Sequence, residues 1–106
     1  MTRYTRREIV EILEIDEGFV AQLEREAIIE RDADAPETPH GTAERTYSER
    51  MLERARVAHS LVHDLDVNLA GAAVIVRMRE ELGTLRGTLR VLAARVARSE
   101  REGRDD

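Results

Sequence analysis

The chain has 106 residues, 42% apolar, 37% charged and 3% aromatic, with no cysteine and no tryptophan. That length supports one small aliphatic core hiding roughly two-thirds of the surface of the unfolded chain, which argues against a deep, walled enzyme cleft. Without cysteine there is no disulfide scaffold, thiolate zinc site or thiol catalysis, and a reducing, cytoplasmic setting is expected. The longest apolar or small-residue run, Leu69 to Val76, falls far short of the ~20 residues of a membrane span. Met1 to Arg7 has no apolar segment behind it, so neither membrane nor secretion is expected.

A net charge of −5 disfavours nucleic acid, because each phosphate contact needs a cation to replace condensed counterions. The charge is also polarised along the chain. Tyr4 to Arg31 holds eight acids and four arginines, whereas Arg77 to Arg104 holds eight arginines and four acids.

In chain order, Thr5-Arg6-Arg7-Glu8 is a capping-box pattern that starts a helix, with Ile9, Ile12 and Leu13 on its apolar face. Asp16 caps a second helix that carries Phe19, Val20 and Leu23 on one face and ends near Ala27. Two short helices joined by about three residues form a helix-turn-helix shape. Residues 32–46, with two prolines, a glycine and almost nothing to bury, read as a mobile loop. Ser48 and Glu49 open a third helix, whose apolar face from Met51 runs to about Leu65. No strand pattern of any length is visible.

Asn68 is a good N-cap for the last helix, which no proline interrupts as far as about Glu100; residues 101–106 read as a disordered polar tail. Along it Ile75, Met78, Leu82, Leu85, Leu89, Leu92 and Val96 alternate spacings of three and four, an a/d heptad seam. Such a strip is longer than a small domain can cover, so homodimerisation is expected, in a direction that the seam alone leaves open, the alternative being that the strip folds back on the domain's own helices. The expected organisation is a helix-turn-helix domain at 1–66, a dimerisation helix at 67–100 and the tail.

Particular residues carry a resemblance. Tyr4-Thr5, Glu8-Ile9, Ile12-Leu13-Glu14-Ile15 and Leu23-Glu24-Arg25-Glu26-Ala27-Ile28-Ile29 follow, without a gap, the opening pattern of MerR-like regulators. Arg45-Thr46-Tyr47-Ser48-Glu49 resembles the segment after their wing, and Val67-Asn68-Leu69-Ala70-Gly71 the start of their dimerisation helix. The chain resembles most closely the CbpM-type chaperone modulators, an offshoot of that superfamily, which implies an all-α fold: a MerR-like helix-turn-helix followed by a long C-terminal coiled-coil helix. MerR-type DNA readers place arginines where this chain has Gly18, Phe19, Val20, Ala21, Gln22 and Leu23, and Asp16 to Ala27 holds four acids against one arginine. Such a helix repels phosphates. The loop has Asp32, Asp34 and Glu37 where a basic wing belongs.

The resemblance therefore implies that the chain binds the J-domain of a DnaJ/CbpA-like co-chaperone and restrains its stimulation of Hsp70, with an acidic surface competing for the basic J-domain helix. The expected contacts are Glu11, Glu14, Asp16, Glu17, Glu24 and Glu26, with Gln22, and with Phe19 as either contact or core. The alternative is a MerR/HspR-like DNA-binding regulator using Arg6, Arg7, Arg45 and Arg50 on phosphates. His59 and His63, four apart on a helix with Asp66 nearby, lack a third well-placed metal ligand and read as surface or interface histidines. His40, Ser48 and Ser60 have no partners that would build a catalytic site, so no enzyme, metal or cofactor is expected. The arginines of the last helix read as seam-flanking side chains.

Overall fold

The computed structural model describes residues 2–32 and 46–104. Its elements in order are β1 (Arg3–Thr5), α1 (Arg6–Leu13), α2 (Glu17–Arg25), β2 (Thr46–Ser48), α3 (Glu49–Leu65) and α4 (Leu69–Arg104). The architecture is all-α apart from one antiparallel ribbon, in which Tyr4 pairs with Tyr47. These two three-residue strands correct the expectation of no strand. Most of the loop expected at 32–46, with Asp34, Glu37, His40 and Arg45, lies outside the described residues.

Each helix begins on a side-chain cap. Thr5 Oγ1 accepts from the Glu8 amide at 3.2 Å while the Thr5 amide donates to Glu8 Oε1 at 3.3 Å, closing the capping box. Asp16 Oδ1 accepts from the Phe19 amide at 2.6 Å, Ser48 Oγ from Met51 at 3.3 Å and Asn68 Oδ1 from Gly71 at 2.7 Å. Each bond satisfies one of the amides that a helix N-terminus leaves unpaired and is worth about 1 kcal/mol. α2 stops at Arg25, two residues before the expected Ala27, because Ala27 turns into the left-handed region at φ 57°. Ile28 and Ile29 then drop into the core.

The chain divides into two compact units, Met1–Val76 and Arg77–Asp106. The division lies inside α4 rather than at 66/67, since Ala72 and Val76 are buried members of the first unit's core. That core takes Ile9 from α1, Val20 and Leu23 from α2, Tyr47 from β2 and Leu52, Ala55 and Ala58 from α3. Asp32 secures the ribbon: its amide donates to the Thr46 carbonyl at 2.8 Å, its carboxylate accepts from the Thr46 hydroxyl at 3.1 Å, and Arg3 pairs with it at 3.5 Å. In the second unit α4 continues as helix through Arg104, correcting the disordered tail expected from 101. Arginines suit that end, with Arg101 and Arg104 in the last turn beside the unpaired carbonyls. No helix among the described residues is long and apolar enough to cross a membrane.

Candidate functional site

The turn between α1 and α2 builds a concave surface. Glu14 caps α1 in the left-handed region at φ 54°, with its amide donating to the Val10 carbonyl. That conformation swings the chain so that Ile15 is buried while Glu14 and Asp16 stay exposed on either side of it. Gly18 follows, and a Cβ there would stand 3.1 Å from Asp16 Oδ1, so glycine leaves the capping carboxylate undisturbed.

A cavity of about 310 Å³ opens at this turn, lined by Glu14, Asp16, Phe19 and Gln22 together with His59 and His63 of α3. Phe19 meets His59 edge-on at 5.6 Å between ring centroids and His63 at 5.7 Å, and the two imidazoles lie 4.3 Å apart. Phe19 is half-buried against the core and also lines the cavity. Gln22 and Glu26 also border a second cavity, of about 280 Å³, with Arg25 and Leu69.

The structure brings together four of the eight expected contact residues, Glu14, Asp16, Phe19 and Gln22, and leaves Glu11 and Glu17 exposed outside both cavities. Glu24 has a different position. Its carboxylate accepts a hydrogen bond from the hydroxyl of Tyr47, a fully buried side chain, so it serves the fold. Sequence reasoning missed His59 and His63 as members of this site; their i, i+4 spacing was visible, but the face they share with Phe19 comes from the packing of α3. Among the described residues no group of three histidine or acidic side chains can hold a metal ion.

The seven seam residues, Ile75, Met78, Leu82, Leu85, Leu89, Leu92 and Val96, are between 39% and 64% exposed within the chain. Of the arginines considered for phosphate contact, Arg6 is half-buried and donates to the Glu17 carbonyl at 3.1 Å, Arg7 and Arg50 are exposed, and Arg45 is outside the described residues.

Two capped helices joined by a left-handed turn, a ribbon closing behind them and a long last helix define a helix-turn-helix protein of the MerR-like kind. The sequence model described as MerR HTH family regulatory protein matches residues 4–94, and the chain belongs to that family. No curated protein and no solved structure matches it.

Proposed function

We propose that the chain is a protein-binding member of its family: a non-enzymatic, cytoplasmic chaperone modulator that engages the J-domain of a DnaJ-like co-chaperone and restrains its stimulation of Hsp70. The observation that carries this reading is the charge at the helix-turn-helix. Glu11, Glu14, Asp16, Glu17 and Glu26 are exposed across α1, the turn and α2, against Arg6 and Arg7 at the start of α1 and Arg25 in α2. A surface of that sign attracts a basic helix and repels phosphates. We propose further that two copies pair along the exposed seam of α4, which supplies the apolar partner that a heptad strip requires.

The test is capture of a purified J-domain and its kinetics. Glu11→Arg with Glu26→Arg is the clean reversal, because both positions lie at helix C-terminal ends, where arginine suits the dipole. Glu24 is left alone, since reversing it would break the bond to Tyr47. The double variant is expected to associate more slowly and with a flatter salt dependence than the wild type. No binding by either protein overturns the reading. A DNA-binding regulator is the second reading, favoured by the family's description. An electrophoretic titration at low salt decides for it if binding is sequence-specific and falls steeply with salt.

A further inference from the structure

We propose that the cavity at the α1–α2 turn is a socket for one arginine side chain presented by a basic helix of a protein partner. Its wall is the Phe19, His59 and His63 cluster and its anionic rim is Glu14 and Asp16. The inference rests on the protein-binding reading above and gives it a specific point of contact.

Three observations on the lining select this ligand. The cavity holds two exposed carboxylates and no arginine, so its charge favours a cation. Its volume of about 310 Å³ is at the small end of the range for ligand sites, which suits a single side chain better than a helix face. Its apolar wall is aromatic, and a guanidinium prefers such a wall: the delocalised cation stacks on rings within about 6 Å while its N–H fork pairs with a carboxylate.

Competing ligands fit less well. The N-terminus of α2 would ordinarily attract an anion, but the Asp16 carboxylate already accepts from the Phe19 amide at 2.6 Å, so that position is filled by a negative group of the chain itself. A metal ion would need a third ligand beside the two imidazoles, and no such group exists among the described residues. A lysine would match the charge but not the fork geometry.

The experiment uses the full chain and a labelled helical peptide with arginines along one face, beside the same peptide carrying citrulline, which keeps the shape and removes the charge. Binding of the arginine peptide is expected to exceed that of the citrulline peptide about tenfold. Neutralising the rim with Glu14→Gln and Asp16→Asn is expected to weaken it about fivefold, and asparagine caps α2 as well as aspartate does. Phe19→Leu, which keeps apolar bulk and removes the ring, is expected to cost about threefold. Circular dichroism establishes that each variant keeps its helices.

Equal binding of the two peptides overturns the socket, and so does a Glu11→Gln/Glu26→Gln control that weakens binding as much as the rim variant, since attraction would then be diffuse. A chain that binds the arginine peptide at the cavity but no J-domain supports the socket and removes the chaperone reading. A J-domain that binds wild type and rim variant alike leaves the chaperone reading standing and overturns the socket.

Discussion

Up to Val76 the chain covers most of its apolar residues with its own side chains, Ile12, Leu65, Val74 and Ile75 excepted, and from Arg77 onward every large apolar side chain is exposed. Ile9, Val20 and Leu23 are wholly buried, whereas Leu85 and Leu89 are 61% and 64% exposed. The residue types are alike, so side-chain hydrophobicity does not make the difference. Short elements that change direction at Glu14, Ala27 and Asp66, all in the left-handed region, bring several surfaces to bear on one interior. A single helix has no second surface of its own to set against its stripe. The first unit is therefore expected to draw its stability from internal packing and the second from helix propensity and a partner.

The sharpest way to break that comparison is to truncate one leucine in each unit. Leu23→Ala empties a fully buried site and is expected to cost about 2 to 5 kcal/mol in denaturant unfolding. Leu89→Ala is expected to leave the unfolding of α1 to α3 within about 0.5 kcal/mol of wild type, as for a surface change. Equal costs would mean that the seam belongs to the first unit's core.

The second test addresses the seam as a whole. Sedimentation of the wild type is expected to give about twice the 12.1 kDa chain mass. Leu85→Asp with Leu89→Asp puts charge into two central seam positions and is expected to return the mass of one chain. A wild type that sediments as a single chain would remove the homodimer.

What was legible in the sequence follows the range of the interactions involved. Thr5, Asp16, Ser48 and Asn68 each cap through one hydrogen bond to an amide three residues on, so the helix starts could be read directly. The bounds of α3 match the expectation for the same reason. The β1–β2 ribbon escaped because three-residue strands carry no periodicity and pair Arg3 with Ser48, far along the chain. The acidic rim of the candidate site, Glu14 and Asp16, was read from the charges around the turn. The aromatic wall was not, because the meeting of Phe19 with His59 and His63 depends on how α3 packs. The bond of Glu24 to Tyr47 was not legible for a similar reason, since Tyr47 lies in β2, far along the chain.

Tyr47 offers a smaller effect that separates packing from polarity within the first unit. Tyr47→Phe keeps the buried ring and removes the hydroxyl that donates to Glu24. A hydrogen bond to a charged acceptor contributes about 1.5 kcal/mol, and that loss is expected in urea unfolding. Glu24→Gln keeps an acceptor and is expected to cost less. A Tyr47→Phe variant as stable as wild type would show that water replaces the lost donor at no cost.

The smallest effect compares the same substitution in the two units. At Gly83 an added Cβ meets nothing within 4 Å, so Gly83→Ala changes only backbone freedom. Alanine is favoured over glycine inside a helix by about 0.8 to 1.0 kcal/mol, and amide protection around residue 83 is expected to rise about fivefold in hydrogen exchange. At Gly71 the Cβ would stand 3.2 Å from both Asn68 Oδ1 and Val67 Cγ1, pressing on the oxygen that accepts from the Gly71 amide and caps α4. The propensity gain is then offset by a strained cap, and Gly71→Ala is expected to raise protection less than Gly83→Ala or to lower it. An equal rise at both positions would mean that the start of α4 yields as freely as its exposed middle, and the contrast between a packed and an unpacked unit would not extend to this helix.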